Sequence, residues 1–310
     1  MGTTYSVKHW SSEADVDHQA LQAEIDLALR EVNDQMSTYL ESSEISRFNR
    51  SGAGEWFAVS TETVSVVDAA LRLHGRTDGA LDVTVGPLLT LWGFGPGADP
   101  AAEPPGDEEL AAALALVGVD KIETRADPPA LRKTVDGVEI DLSAIAKGYA
   151  VDLIAALVVE AGAGGVMAEI GGEVVALGTR ADGEPWRIGV ERPDPEKRTV
   201  AQVLPLRDLA MATSGDYRNY RGADGERYCH IVDPRTSRPL PYRGFSVTVL
   251  AQTCREADGL ATALVVLGPA EGYDWCVKNG VAAMFLMSGV GDGPEVRATP
   301  AFPVTAGGSE

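Results

Sequence analysis

The chain has only three cysteines in 310 residues, Cys229, Cys254 and Cys276, and no two form a CxxC pair. An odd count leaves one thiol over in any pairing scheme, so all three read as free thiols. No run of about 18 consecutive apolar residues occurs, which excludes a membrane-spanning helix. Basic charge is scarce: 26 Lys and Arg stand against 46 Asp and Glu, a net charge of −20. A surface of that sign repels a phosphate backbone, so nucleic acid is excluded as a partner. Solubility alone accounts for the excess acid. GxGxxG after a strand, GxxxxGK[ST], HExxH and GxSxG are all missing, which removes Rossmann, P-loop, zincin and α/β-hydrolase readings. The opening MGTTYSVKHW has neither a basic stretch nor an apolar one, so it is no signal peptide.

What is present is an ordinary globular composition, 45% hydrophobic and 23% charged, long enough for one large domain or two modest ones. Residues 4–9 read as a short strand. Leu21, Ile25, Leu29, Val32 and Met36 recur at spacings of three to four, which predicts an amphipathic helix over 13–36, capped by Ser12 with Asp15 three residues on. A second helix is expected over 61–74. Residues 93–109, rich in Gly, Pro and acid, read as a surface loop leading to an alanine-rich helix at 110–117. From residue 121 onward short alternating runs dominate: KIET, ALRKTV, GVEIDL, VMAEI, EVVALG, WRIGV, VAQVLPL, YCHIV and FSVTVLA. Gly, Asp or Pro punctuate them, which predicts hairpins in an antiparallel sheet. Helices follow at 144–161, 255–267 and 270–279, with stops at Gly162 and at Gly268–Pro269. The whole is α+β without a clean linker, and a single unit of two lobes packed around one site is expected over 1–310.

Four segments carry chemistry. In VEIDLSAIAKGYAVDLIAAL, Val138, Ile140 and Leu142 alternate with Glu139 and Asp141, and Ser143 is placed to cap a helix starting at Ala144. Lys147 and Gly148 then sit near its first turn, where free amides, the helix dipole and a lysine charge suit a phosphate. A routine strand-to-helix turn with a solvated lysine fits the same pattern. In READGLATALVVLG, Asp258 and Thr262 are four apart and share a helix face. Their hard oxygens suit Mg²⁺, although a dipole-favoured aspartate and a threonine bonded to its own backbone fit too. In MATSGDYRNYRGADGERYCHIVDPRTSRPL, two hydroxyls, a glycine and an aspartate lead to His230, one of four histidines and a candidate acid or base. A strand histidine bonded to nearby backbone fits as well. In AEIGGEVVALG, Glu169 and Glu173 flank Gly171–Gly172, either an ordinary hairpin or a close backbone approach to a ligand.

Taken in order, MGTTYSVK, MSTYLESSEISRFNR, TDGALDVTVGPLLTLWGFGP, DLSAIAKGYAVD, EIGGEV, ATSGDYRNY, HIVDPRTSRPL and ADGLATAL closely resemble the successive motifs of the ApbE family, from Met1 to about residue 290. The resemblance implies a two-lobed, T-fold-related α+β architecture with largely antiparallel sheets and flanking helices. It implies an FAD:protein FMN transferase that uses Mg²⁺ to move FMN from FAD to a protein threonine, with AMP released. It casts Met1, Tyr39, Ala80, Leu81, Asp82, Asp141, Lys147 and Val232 as FAD contacts. Ala144, through its carbonyl, with Asp258 and Thr262 is cast as the metal shell, and His230 as the catalytic group. By the same resemblance the acceptors are respiratory subunits, such as those of Na⁺-translocating NADH:quinone reductase. Two other activities keep the same site: an FAD pyrophosphatase, in which water attacks, and a non-catalytic FAD-binding or delivery protein. The chain departs from the family pattern at three places. Ala261 stands where some relatives carry a hydroxyl residue of the metal shell, which leaves the shell one ligand poorer. Ser237 replaces a common glycine after DPRT, and Cys229 precedes His230 where serine is frequent. Family members are usually exported lipoproteins, and no lipobox cysteine is present. The expected native form is therefore periplasmic and anchored to the inner membrane, its signal segment absent from this chain.

Overall fold

The computed structural model describes every residue except 1, 12–15, 98, 100–102, 195–198, 218–219, 222–226, 289–294 and 304–310. The chain divides into two compact units, one built from residues 30–146 and 219–241, the other from 2–29, 147–218 and 242–310. In order, the first elements are β1 (Tyr5–Trp10), α1 (His18–Met36), α2 (Glu44–Arg50), β2 (Phe57–Ala58), α3 (Thr61–Arg76), α4 (Gly86–Leu91) and α5 (Asp107–Leu114). There follow β3 (Ile122–Ala126), β4 (Pro129–Lys133), α6 (Ala146–Glu160), β5 (Gly165–Ile170), β6 (Glu173–Gly178), β7 (Trp186–Glu191) and β8 (Val200–Leu206). The last are β9 (Leu209–Gly215), β10 (Tyr220–Arg221), β11 (Tyr228–Asp233), β12 (Arg238–Pro241), β13 (Phe245–Ala251), α7 (Cys254–Asn279), β14 (Ala282–Met287) and β15 (Glu295–Ala298).

The second unit is organised by a seven-stranded sheet of order β1-β5-β6-β9-β13-β14-β15. All six of its neighbouring strand pairs are antiparallel. α7 packs on β6, β9, β13 and β14. Val174, Ala176, Met211, Leu250, Met284 and Leu286 of the sheet form a core with Trp186, Ile188, Val190, Leu204 and Leu206 of the β7–β8 hairpin. β13 is buried along all but its last residue, as a strand covered on both faces requires. The expected helices at 255–267 and 270–279 are both present as the two halves of α7, separated by a kink at Gly268, whose φ of 79° and ψ of 176° are not helical. Pro269 follows at once, and its ring and missing N–H prevent a regular turn there.

In the other unit, two three-stranded sheets, β2-β4-β3 and β10-β11-β12, accompany α2 to α5. Leu88, Trp92, Leu110, Val117 and Val232 make its apolar cluster, with Tyr228 and Phe94 against it. Ser60 caps α3 by accepting the Thr63 amide at 3.1 Å. Val138, Ile140 and Leu142 are fully buried as read, but Asp141 between them is buried as well, and residues 138–142 form no strand. Their backbone groups pair elsewhere. The Asn49 amide donates to the Ile140 carbonyl at 2.9 Å and accepts the Ile140 N–H at 2.8 Å, standing in for a neighbouring strand. The Asp141 N–H donates to Val83 at 2.7 Å, and the buried Lys133 ammonium donates to Val138 at 3.1 Å. The backbone is satisfied without a ladder.

Other boundaries differ from the expected ones, among them that of α5, which spans Asp107–Leu114 rather than 110–117. The proposed Ser12–Asp15 cap lies outside the described residues, and α1 starts at His18 with Asp17 Oδ1 accepting the Gln19 and Ala20 amides at 3.0 Å each. α6 begins at Ala146 rather than Ala144, because Ser143–Ile145 form a turn closed by amides of Ile145 and Ala146 on the Leu142 carbonyl.

Ser237 explains the glycine common at its position. Its φ is 62°, a left-handed conformation that costs a residue with a β-carbon about 1–2 kcal/mol. The turn demands it: the Ser237 N–H donates to the Asp233 carbonyl, and its own carbonyl accepts the Trp92 indole N–H at 2.8 Å. Ser237→Gly is expected to stabilise the protein by roughly 0.5–1 kcal/mol after glycine's extra unfolded-state entropy is counted. A thermal melt should show a rise of about 2 °C, and a fall would contradict the strain assigned to this turn.

Candidate functional site

The second unit gathers three of the charged residues that matter around the start of α6. Lys147 is its second residue, and its ammonium lies 2.8 Å from Glu173 Oε1 and 3.4 Å from Asp258 Oδ1. Asp258 Oδ2 accepts the Gly148 N–H at 2.9 Å. The sequence makes this approach possible at Gly148. A β-carbon there would sit 2.3 Å from the Cys254 carbonyl oxygen and 2.8 Å from Arg255 Cα, so only glycine lets the starts of α6 and α7 touch. Asp152, one turn along α6, holds the junction by accepting the Cys254 and Arg255 amides at 2.7 and 2.9 Å. Thr253 adds an N-cap by accepting the Glu256 amide at 3.3 Å. Two orphan-donor problems at a helix start are solved together.

The electrostatics are those of a buried, incompletely neutralised cluster. The Glu173 and Asp258 side chains are each 5% exposed and that of Lys147 is 31% exposed. Burial works to lower the Lys147 pKa, but the Asp258 and Glu173 carboxylates outweigh it and hold the ammonium above the ordinary lysine value. Burial and the nearby Asp258 charge push the Glu173 carboxyl up to about 7 against the pull of Lys147. Burial likewise raises Asp258, opposed by Lys147 and the Gly148 amide. One ammonium faces two carboxylates, and Glu173 Oε2 is buried without a hydrogen-bond partner among the described residues. Thr262 lies four residues beyond Asp258 on the same helix face and is half-buried. Ala261 beside it is fully buried and adds no oxygen. Buried, under-neutralised hard oxygens of this kind fit Mg²⁺. Among the described residues no group of three or more His, Cys, Asp or Glu side chains is gathered for a metal, so a cation here would have to rely on one aspartate and neutral oxygens.

The other unit brings together a second group. Ala80, Leu81 and Asp82 are buried on the segment after α3. There His74 Nδ1 lies 2.9 Å from the Leu81 carbonyl and 3.5 Å from Asp82 Oδ2. Asp82 Oδ1 accepts the Thr84 amide at 2.7 Å. Asp141 joins this group through its amide on Val83. Its carboxylate accepts the Ser143 N–H at 2.8 Å and meets the Thr38 hydroxyl at 3.5 Å. Tyr39 follows Thr38, is 71% exposed, and lines a groove of about 400 Å³ with Arg30, Asn33, Asp34, Ser37 and Leu40. Ala144 lies on the turn before α6. The side chain of Val232 packs into the apolar cluster, and its backbone is in register with Pro239 of β12. Met1 lies outside the described residues.

His230 is half-buried in β11 at an irregularity. Tyr228 pairs with Pro241 and Val232 with Pro239, so five residues of β11 oppose three of β12. Such a bulge turns a side chain away from its regular alternation and is common beside active sites.

Sequence reasoning set Glu173 beside a Gly–Gly turn, either an ordinary hairpin or a close backbone approach to a ligand, and gave its side chain no role. The hairpin is there: Ile170 pairs with Glu173, and Gly171 and Gly172 have φ of 63° and 109°, the signs of a two-residue turn that needs glycine. Its signal was a glutamate at a buried strand position, which demands a cation. Asp216 of the ATSGDYRNY segment is 2% exposed and serves the scaffold, accepting the Arg243 and Phe245 amides at 2.8 Å each. None of the three cysteines is in a disulfide, and all are buried.

Comparison with known proteins then decides the family, since the family model described as the ApbE family matches residues 1–285. The chain belongs to the ApbE family. It is 47% identical over 302 residues to an FAD:protein FMN transferase of Vibrio cholerae, covering 97% of this chain and 89% of that protein. It is 40% identical to one of Haemophilus influenzae, covering 97% and 88%. Its fold matches the solved structure of the flavin transferase ApbE from Vibrio cholerae with a TM-score of 0.87 at 46% identity, over 97% of this chain and 95% of that one. The apo form of the flavinyl transferase ApbE of Pseudomonas stutzeri gives 0.87 at 38% identity, over 97% and 92%. The α+β class and largely antiparallel sheets expected of an ApbE protein are those observed.

Proposed function

We propose that this ApbE-family chain is an Mg²⁺-dependent FAD:protein FMN transferase that attaches FMN to a threonine of a respiratory flavoprotein subunit and releases AMP. The observation that carries the reading is the buried Lys147–Glu173–Asp258 cluster at the start of α6, in a chain whose relatives bear that name. Asp258, with Thr262 and the Ala144 carbonyl, would hold Mg²⁺. When bound, the ion would offset pyrophosphate charge and so ease departure of AMP. Lys147 sets a full positive charge in the first turn of a 15-residue helix, where the dipole also favours a phosphate. Tyr39, Ala80, Leu81, Asp82, Asp141 and Val232 are assigned to FAD. The threonine Oγ attacks the FMN-side phosphorus. An O–P bond forms as the P–O bond to the AMP phosphate breaks, and AMP leaves with that electron pair. His230 takes the hydroxyl proton. Positioning and charge, rather than covalent help, are what such a transfer needs. The proposed setting is the periplasmic face of the inner membrane.

Chromatography of a reaction with FAD and Mg²⁺, run with and without an acceptor subunit, tests the reading. AMP should form in proportion to acceptor, with little free FMN. Equal free FMN in both reactions would mark a pyrophosphatase, and no AMP in either would mark a carrier.

A further inference from the structure

The cluster at the start of α6 is lopsided. Lys147 Nζ is 2.8 Å from Glu173 and 3.4 Å from Asp258, although the two carboxylates are equally buried. An ammonium bonded only to Asp258 would close to the shorter distance and occupy an oxygen that a cation needs, since two positive groups on one carboxylate repel. Glu173 is built so that it does not follow the lysine. It is the first residue of β6, directly after the two-glycine turn. A β-carbon at Gly171 would lie 3.5 Å from Glu173 Oε2 and 3.1 Å from Thr3 Cγ2, so the turn leaves little free space on that side of the carboxylate. Its other oxygen is buried and unpartnered among the described residues, so the lysine is its only side-chain cation.

We propose that Glu173 is a positioning residue that draws the Lys147 ammonium off Asp258, leaving Asp258 an oxygen for a divalent cation while keeping the lysine charge beside it. This rests on the reading of Asp258 as a cation-binding residue. Glu173 acts through Lys147 and need not touch the ion.

The test is direct Mg²⁺ binding by calorimetry on the whole chain without FAD, for wild type, Glu173→Asp, Lys147→Met and the double variant. Aspartate keeps the charge but falls one methylene short of the lysine, so any effect of the electric field alone survives it. Glu173→Asp is expected to weaken Mg²⁺ roughly fivefold or more in the presence of Lys147, and by less than about twofold in the Lys147→Met background, as coupled neighbours behave. Thermal melts of all four proteins separate this pattern from misfolding, because a folding defect would weaken binding in both backgrounds. Unchanged binding in Glu173→Asp, or an equal loss in both backgrounds, would overturn the proposal while leaving the cation site standing. A wild type that binds no Mg²⁺ would overturn the cation site, and this inference with it.

Discussion

Asp258→Ala is expected to abolish Mg²⁺-dependent FMN transfer, lowering the rate by about a thousandfold or more, because it removes the full charge assigned to the metal shell. The fold should survive. The substitution strands the Gly148 N–H that Asp258 now accepts at 2.9 Å, a loss of roughly 1–3 kcal/mol, while Lys147 keeps its 2.8 Å partner Glu173. Asp258→Asn, which retains an oxygen for that amide, should lose activity with a smaller drop in melting temperature. Thr262→Val should be milder than either, since it deletes a neutral oxygen and preserves shape. Normal transfer in Asp258→Ala with unchanged Mg²⁺ dependence would remove the metal assignment. Equal losses in Asp258→Ala and Thr262→Val would point instead to damage of α7.

His230→Ala should still bind FAD and transfer FMN slowly, by roughly a hundredfold or more, the range expected for loss of a general base. Two facts make the histidine worth the test: its place in the HIVDPRT motif and its position in the stretch where β11 slips against β12. Stability should change little, because the core contacts of this strand come from Cys229, Ile231 and Val232, all buried. FAD titration and single-turnover transfer separate the roles. Intact transfer with collapsed FAD affinity would make His230 a binding group and place the base elsewhere.

The elements readable in sequence were those whose own pattern suffices. Of the stripe Leu21, Ile25, Leu29, Val32 and Met36, all but the half-buried Leu29 are buried as read, and the runs VAQVLPL and FSVTVLA are β8 and β13 without adjustment. α2 and α4, of seven and six residues, are too short to show a helical period and were not read. GVEIDL had the alternation of a strand and none of its pairing, because Asn49, some ninety residues earlier, supplies the partner through a side chain. No local pattern signals that. The site divides in the same way. Asp258 with Thr262 follows from helical spacing, and Lys147 from its place at a helix start. That Gly148 is required by contact with Cys254, that Asp152 caps α7, and that Glu173 anchors Lys147 are all facts of packing between segments distant in the chain. The motif resemblance supplied roles for Tyr39 and Asp141 that neither spacing nor burial would have suggested, and it chose for His230 between the two readings its local segment allowed.

The central claim is that the chain joins FMN to a protein hydroxyl. Intact-mass spectrometry tests it most directly, on a respiratory acceptor subunit incubated with this protein, FAD and Mg²⁺. The acceptor should gain the mass of one FMN less water, and replacement of its acceptor threonine by valine should prevent the gain. An acceptor of unchanged mass, with free FMN accumulating at the same rate whether or not it is present, would contradict the account.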